Sequence, residues 1–307
     1  MKRNYLVLLF IVILSLTGYI SSKKLITERE SLDSSLGRGR YSRIISLTPG
    51  VTETLFALGL GDRVVGVSRF CNYPPEAREK KRVGGYLDPN YEAMAVLKPD
   101  LVIVLPEQEK VREYLDELDI EYLVVHNRKV EEIIDAITVI GTACGAVEQA
   151  HELVDRIESR INKIRRLTES SARPRVLIVI GRAMSTGSVN DIYIAGKDTS
   201  YDELITYAGG RNAFENKGVA YPMLTAEGIL HLDPDVIIEL VPELGNERLD
   251  TGTILKEWES VPGVRAVKNK RVSVIKRDYT VIPGPRFIVL LEDLARLIHP
   301  ETDWSEP

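Results

Sequence analysis

The sequence predicts an α/β protein with two lobes, each built on a parallel sheet, that are joined by one long helix. In two separate stretches of the chain, short apolar runs typical of buried strands alternate with helical patterns. Helices placed between strands favour parallel pairing in a sheet covered by helices. Between these stretches, from Val130 to about Leu167, no run resembles a strand.

The first stretch, residues 43–146, is predicted to form the N-terminal lobe. Helical patterns over Thr52–Leu58 and around Lys110–Leu118 separate its apolar runs, and Gly59 is a typical helix terminator. Four runs are predicted to be strands: Arg43–Leu47, Arg63–Ser68, Leu101–Leu105 and Glu121–Val125.

A connecting helix is predicted over residues 147–168, because apolar residues recur at helical spacing from Val147 to Leu167. Such a helix is roughly 30 Å long. The turn signal Ser170–Pro174 follows it, and residues 173–307 are predicted to form the C-terminal lobe. The predicted elements of that lobe are strands Arg175–Ile180, Val236–Leu240 and Arg271–Ile275 and helices Asp202–Tyr207 and Arg286–Ile298.

An internal repeat supports the division into two lobes. A glutamate, four residues, a leucine, one residue and Pro-Asp precede an apolar run at Glu92–Asp100, and again at Glu227–Asp235. Helix, Pro-Asp and strand is a common succession in α/β proteins, so the leading glutamate in both copies is the more specific feature. The repeat predicts two lobes with pseudo-equivalent carboxylates.

Residues 1–22 have the pattern of a secretory signal. Lys2 and Arg3 precede the apolar run Tyr5–Leu16. Extended through Ile20, the run has about sixteen residues, which is long for a signal core and slightly short for a bilayer span. A lipoprotein signal needs a cysteine near Gly18, where Tyr19 stands. Export is therefore predicted, with either cleavage or retention as an N-terminal anchor, and residues 23–42 are predicted to be a flexible spacer.

The composition argues against several classes of function. The chain has 307 residues, 44% of them hydrophobic, and a formal net charge of −5, which excludes a disordered protein and disfavours duplex nucleic acid as a partner. Its four histidines form no close pair, so we predict no metal site and keep only His126, at a strand end, as a candidate site residue. Cys71 and Cys144 are compatible with a disulfide or with free buried thiols.

The sequence contains no convincing catalytic motif. The segment Gly59–Val64 has two of the glycines of a dinucleotide loop, but it closes a helix and precedes a strand, the reverse of that motif. No nucleophile elbow and no paired acidic residues stand out, so we predict that the protein is not an enzyme. A chelatase-like enzyme and an anchored structural or sensory protein are the competing classes.

Aromatic residues fall in predicted loops that follow strands of both lobes. In parallel sheets such loops line the ligand crevice, where a tyrosine can stack on a flat ligand and donate a hydrogen bond. Each single tyrosine is equally compatible with a plain surface position. These aromatic residues are Phe70, Tyr73, Tyr86, Tyr193, Tyr221 and Tyr279.

Several motifs resemble the helical-backbone substrate-binding proteins of ABC importers, a group that includes cobalamin, haem and ferric-siderophore binders. The resemblance covers about 43–298 and implies two Rossmann-like lobes. The motifs are Arg43–Pro49 with Thr52-Glu53, Gly66–Ser68, Asn72–Pro75, Leu97–Leu101, Gly209-Gly210, Asn212–Phe214, Tyr221-Pro222, Glu227 and Pro234-Asp235.

The resemblance also implies ligand-binding residues in a cleft between the lobes. The ligand would be cobalamin or a related corrinoid, or else a ferric siderophore or haem, and no cofactor is expected. Two of the aromatic positions, Tyr86 and Tyr221, carry Tyr where cobalamin binders carry Trp, which leaves the ligand open. Arg69 and Arg182 could neutralise an anionic siderophore or only flank the cleft. The predicted ligand-binding residues are Phe70, Tyr86, Arg182, Tyr221, Asp278 and Arg286.

The resemblance further implies docking through Glu92 and Glu227 onto arginines of a permease dimer, which works with ATPase subunits. Rim charges of this kind mainly set encounter rate and register. Each glutamate is equally explained by a structural position near a helix N-terminus, where the helix macrodipole favours a negative charge. The expected protein is a monomer at the periplasmic or extracellular face of the cytoplasmic membrane.

Overall fold

The first sheet has five parallel strands. The computed structural model describes residues 41–242 and 250–305, so the predicted leader, residues 1–22, and spacer residues 23–40 lie outside the described residues. The strand order is β3-β2-β1-β4-β5. The four predicted strands are present, and a short edge strand, β3, adds to them. The strands are β1 (Ile44–Ser46), β2 (Val64–Val67), β3 (Lys81–Arg82), β4 (Leu101–Val104) and β5 (Tyr122–Val124).

The helices of the N-terminal lobe are α1 (Pro49–Ala57), α2 (Tyr91–Val96), α3 (Glu109–Glu117) and α4 (Val130–Cys144). Proline at the first position of α1 is favourable, since that N–H has no partner within a helix. The chain leaves α1 at Gly59 with φ +72°, a conformation that favours glycine. The sequence pattern located α1 and α3, whereas for α4 it indicated only that no strand was present.

A single helix, α5, runs from Val147 to Thr168 and joins the two sheets. These bounds coincide with the range given from the sequence, residues 147–168. The buried residues Ile157, Ile161 and Ile164 recur at helical spacing, and α5 packs against α4. The crossing with α4 is close, because a Cβ atom at Gly141 would lie 2.5 Å from that of Ala150.

The second sheet is mixed, which corrects the prediction of a parallel sheet in both lobes. Its order is β11-β10-β6-β7-β9, and β8 pairs with β6. Strands β11, β10 and β6 are parallel, but β7 runs antiparallel to β6 and β9 antiparallel to β7. The strands are β6 (Arg175–Gly181), β7 (Ile192–Ile194), β8 (Arg211–Asn212), β9 (Met223–Leu224), β10 (Val236–Val241) and β11 (Val272–Lys276).

The helices of the C-terminal lobe are α6 (Ser200–Tyr207), α7 (Ala226–Leu232), α8 (Thr251–Glu257), α9 (Arg265–Lys268) and α10 (Phe287–Ile298). The last of these, α10, packs against both α5 and α6. One hydrophobic cluster therefore continues from the first sheet through α5 to the second lobe, and it includes Ile44, Ile157 and Leu291. Among the described residues, no helix is both long and apolar enough to cross a bilayer.

The aspartate of the Pro-Asp repeat forms equivalent hydrogen bonds in both lobes. The Asp100 carboxylate accepts from the backbone N–H groups of Ser42 and Arg43 at 2.8 and 2.9 Å, just before β1. The Asp235 carboxylate accepts from the Arg175 N–H at 2.8 Å, at the first residue of β6. Each aspartate thus ties the start of one strand to the start of its parallel neighbour.

Both cysteines are free and buried. Burial raises the pKa of the Cys144 thiol to about 11, and it also raises the pKa of Cys71. The structure thereby favours free buried thiols, which was one of the two possibilities that the sequence left open.

Candidate ligand-binding cleft

A cavity of about 640 Å³ lies between the lobes. This volume falls within the range of about 300–1,000 Å³ that is usual for small-molecule sites. Residues that follow β4 and β5 form one wall, and loops and helices of the second lobe form the other. The segments that line it are Glu107, Asn127–Lys129, Glu132, Ile133, Lys197–Tyr201, Leu204, Gly218–Tyr221, Tyr279–Pro283, Phe287 and Leu290.

The position of the cavity follows from the sheet topology. In the first sheet the strand order reverses at β1, since β2 lies on one side of it and β4 on the other. Ligands of open α/β sheets bind outside the carboxyl ends of strands at such a switch point. Glu107, which lines the cavity, follows β4 at that end.

Tyr86 is held beside the cavity by its neighbours. Its hydroxyl donates to the Glu107 carboxylate, and its carbonyl accepts from Gln108 Nε2 at 2.7 Å. The Gln108 side chain also accepts from the Leu105 N–H at 2.8 Å, at the end of β4. Burial and then the Glu107 carboxylate raise the pKa of Tyr86, so this phenol stays protonated and keeps donating to Glu107.

Tyr221 lines the opposite wall and is half-exposed. Its loop is held by Gly196, whose N–H donates to the Ala220 carbonyl at 2.8 Å. A Cβ atom at residue 196 would lie 2.2 Å from the Val219 carbonyl oxygen, so only glycine allows this approach. Tyr201, which the sequence did not single out, lines the floor and donates to the Thr280 carbonyl at 2.8 Å.

Asp278 and Arg286 form an ion cluster that joins the lobes. The Arg286 guanidinium donates to both oxygens of Glu53 on α1, at 2.6 and 3.0 Å, and to both oxygens of Asp278, at 2.9 and 3.0 Å. The Tyr73 ring covers the guanidinium at 3.8 Å. The Arg286 guanidinium is thus paired with two carboxylates of the protein itself. We call Glu53, Asp278 and Arg286 the interlobe ion cluster.

The pKa values in this cluster follow from burial and pairing. Burial raises the pKa of Glu53, and this effect exceeds the opposing hydrogen bond and charge of Arg286. Burial acts in the same direction on Asp278, but there Arg286 prevails and the pKa is lowered. The two carboxylates raise the pKa of Arg286 against the effect of its burial.

The structure places Arg182 away from the cleft, which corrects the prediction of a ligand contact. Its side chain is 0% exposed and donates to Glu239 at 2.8 Å and to Glu257 at 2.6 Å. The Trp258 indole N–H also donates to Glu239, at 2.8 Å. This arginine is a buried structural cation inside the second lobe.

Phe70 is 49% exposed and does not line the cavity. The Arg69 guanidinium lies 5.4 Å from the centre of the Phe70 ring and pairs with Asp88 at 2.5 Å. Of the six predicted ligand-binding residues, Tyr221 lines the cavity, Tyr86 adjoins it through Glu107, and Asp278 precedes the lining segment Tyr279–Pro283. Their roles in binding stay predictions.

Glu92 and Glu227 occupy equivalent places in the two lobes. Each is the second residue of a short helix, α2 or α7, and each is exposed. Asn90 caps α2 and Thr225 caps α7. Within the described residues neither glutamate forms an ion pair, so both carboxylates are free to meet a partner.

Three basic residues that line the cavity were not predicted from the sequence. Arg128 and Lys129 lie between β5 and α4, and Lys197 lies before α6. A signal was present, since two adjacent basic residues follow a predicted strand. His126, the retained candidate, is exposed and lines a separate small depression. Among residues 41–242 and 250–305, no cluster of His, Cys, Asp and Glu could hold a metal ion.

Comparison with known proteins decides the family. A profile described as periplasmic binding protein matches residues 44–279. The chain belongs to this family. The match covers both lobes and α5, and it agrees with the resemblance noted from the sequence.

Relatives of this family member include an uncharacterised ABC transporter substrate-binding lipoprotein of Bacillus subtilis, 31% identical over 85% of this chain and 81% of its own. A vitamin B12-binding protein of Vibrio cholerae is 28% identical over 82% of this chain and 87% of its own. Among solved structures, the apo form of the periplasmic haem-binding protein of Roseiflexus sp. RS-1 superposes with a TM-score of 0.69. It is 26% identical and covers 84% of this chain and 98% of its own.

These relatives are described as binding or substrate-binding proteins. The chain is accordingly a substrate-binding protein of the ABC-transporter class that includes vitamin B12 and haem binders, and it is not an enzyme.

Proposed function

We propose that this protein is the extracytoplasmic substrate-binding protein of an ABC importer and that it captures a corrinoid between its two lobes. The observation that carries the proposal is the tyrosine-bearing cavity at the switch point of the first sheet, closed by the second lobe. A flat metal–ring complex suits aromatic walls with phenolic donors. The similarity to a vitamin B12-binding protein supports the corrinoid.

Haem or a ferric siderophore is the second candidate. The cationic residues Arg128 and Lys129 favour it, because these ligands carry carboxylates or other anionic donors. In either case the metal arrives inside its chelator, and the described residues need not ligate a bare ion.

Delivery to the permease is the second part of the proposal. The exposed carboxylates Glu92 and Glu227 stand at matching places on the two lobes and would meet arginines of the two permease subunits. The protein would act as a monomer at the outer face of the cytoplasmic membrane, which fits the lipoprotein relative. The leader, residues 1–22, would direct export.

Ligand titration tests the capture step. Purified protein is titrated with cyanocobalamin, haem and a ferric siderophore, with tyrosine and tryptophan fluorescence and ligand absorbance as readouts. Saturable binding of cyanocobalamin supports the lead proposal, and binding of only haem or the siderophore supports the second candidate. If none of the three binds, the proposed function is wrong.

A double substitution tests the docking step. Glu92→Ala with Glu227→Ala should leave ligand affinity unchanged and reduce uptake by cells about tenfold or more. The matched control replaces Glu113 and Glu158, two exposed helical glutamates elsewhere, by alanine. Equal uptake by the docking and control variants would contradict the assignment.

A further inference from the structure

Arg128 is a cationic group of the cavity wall that has no partner among the described residues. Its side chain forms no hydrogen bond or ion pair with any of the residues 41–242 and 250–305, and it is exposed. Its charge lowers the pKa of both Tyr86 and Tyr221 against the larger effect of their burial. The guanidinium therefore lies near a phenol of each lobe, on either side of the cavity.

The backbone that carries Arg128 is held by both lobes. Glu132 accepts the N–H groups of Arg128 and Lys129, at 2.7 and 3.3 Å. The Ser200 N–H of the second lobe donates to the Arg128 carbonyl at 3.1 Å, and Val130 donates to Glu203 at 2.6 Å. Carboxylates of the protein thus already engage the N–H groups of Arg128, Lys129 and Val130, and what Arg128 offers a ligand is its side-chain charge.

The carboxylates of the cavity do not neutralise Arg128 by contact. Glu107 accepts from Tyr86, and Glu132 is engaged by the backbone. Asp198 is exposed. Of the other lining cations, Lys197 pairs with Asp202 at 3.1 Å, whereas Lys129, like Arg128, forms no ion pair within the described part of the chain. Arg128 and Lys129 are therefore the lining cations that no carboxylate of the described residues pairs.

We propose that Arg128 is the specificity-determining residue of the cleft and that it pairs with an anionic group, foremost a carboxylate, on the edge of the bound metal chelate. The inference rests on the proposed function and narrows its substrate class. A guanidinium can hold a carboxylate by two parallel hydrogen bonds, which a neutral amide or ester cannot match. The protein would then discriminate acidic chelates from amidated or esterified chelates of the same ring.

Matched ligand pairs test this inference. Haem is compared with haem dimethyl ester, and a cyanocobalamin monocarboxylate with cyanocobalamin, by titration of the full chain. The unmodified protein should bind the acid of at least one pair roughly tenfold or more tighter than its neutral partner. Arg128→Gln should abolish this preference by weakening binding of the acid far more than binding of its neutral partner, whereas Arg128→Lys should retain part of the preference.

The control is Arg166→Gln, which removes the same charge from an exposed position near the end of α5. It should keep the preference of the unmodified protein. Because the Arg128 side chain is exposed and forms no hydrogen bond or ion pair with the described residues, Arg128→Gln is expected to fold, and circular dichroism checks this. The preference should also weaken with added salt.

The outcomes separate this inference from the proposed function. Binding without preference between acid and ester or amide, or a preference that survives Arg128→Gln, overturns the role of Arg128 and leaves the proposed function in place. Absence of binding to all four probes and to the ferric siderophore overturns the proposed function itself. A preference lost equally in Arg166→Gln overturns the assignment to Arg128.

Discussion

Two aspartates show how single residues organise each lobe. Asp100 and Asp235 follow proline in the repeat, and each accepts backbone N–H groups at the start of the neighbouring strand. Burial raises the pKa of Asp100, but the N–H groups of Ser42 and Arg43 outweigh it and hold that pKa below its usual value. The ionised form is therefore the one that stabilises the strand pair.

The stabilising contribution of Asp100 should depend on pH. Because the folded pKa of Asp100 is lowered, its contribution is present above the unfolded pKa of about 3.9 and is lost as pH falls through the folded value. Asp100→Asn should cost about 0.5 to 1 kcal/mol in the free energy of unfolding at pH 6 and less at pH 3. Urea unfolding at both pH values measures this, with the exposed Asp116→Asn as control. An equal cost at both pH values would contradict the assignment.

Arg182 is the second case in which one residue decides local stability. It is the cation between Glu239 and Glu257. Removal of one member of a buried ion cluster leaves the other charges unpaired in the protein interior, where they are poorly solvated. We predict that Arg182→Met lowers the free energy of unfolding by about 3 to 5 kcal/mol. Denaturant unfolding tests this against Arg166→Met at an exposed position. A loss below about 1 kcal/mol would argue against a structural role.

At the scale of elements, α1 and α10 are joined by the interlobe ion cluster. The Glu53 side chain is 2% exposed and the Arg286 side chain 14%. Beside them the backbones of the lobes nearly touch, since a Cβ atom on Gly50 would lie 2.1 Å from the Pro283 carbonyl oxygen. These contacts hold the two helices at a fixed distance beside the cavity.

Glu53→Ala should loosen this junction. We expect the free energy of unfolding to fall by about 2 to 3 kcal/mol. This loss is smaller than that for breaking a fully buried ion pair, because Arg286 remains paired with Asp278. Hydrogen exchange should become faster in Pro49–Ala57 and at the start of α10. The control Glu292→Ala removes the half-exposed pair with Arg160, which lies between α5 and α10. Exchange rates that match those of the control would contradict a junction between the lobes.

At the scale of the whole molecule, one continuous helix connects the lobes. Bending α5 would break its hydrogen bonds and its packing against α4, α6 and α10. The lobes also share backbone hydrogen bonds, among them the one from Ser200 to Arg128. A hinge needs a few residues that absorb large changes of backbone angle, and a helix interior resists them.

We therefore predict a small rotation of the lobes on ligand binding. Crystal structures with and without ligand measure this rotation directly. Small-angle scattering in solution measures the change of shape in the absence of crystal contacts. A rotation of tens of degrees would show that α5 does not limit the motion.

The sequence by itself determined the α/β class, the bounds of α5 to within one residue at each end and the repeat with its two glutamates. These features depend on local periodicity and on motifs of adjacent residues, which are visible along the chain. The mixed pairing of the second sheet was not visible, because β7, β8 and β9 are only two or three residues long. Such short strands have no periodicity, and their direction is set by their neighbours.

The tertiary structure alone decided which charges face the cavity. Arg128, Arg182 and Arg286 each follow or adjoin a loop and are indistinguishable by type. Arg128 lies on the cavity wall and is paired with no described residue, Arg182 is buried between carboxylates of its own lobe, and Arg286 pairs with Glu53, 233 residues away in the chain. Whether a guanidinium is free for a ligand depends on partners brought together by folding, and no local pattern of sequence encodes such partners.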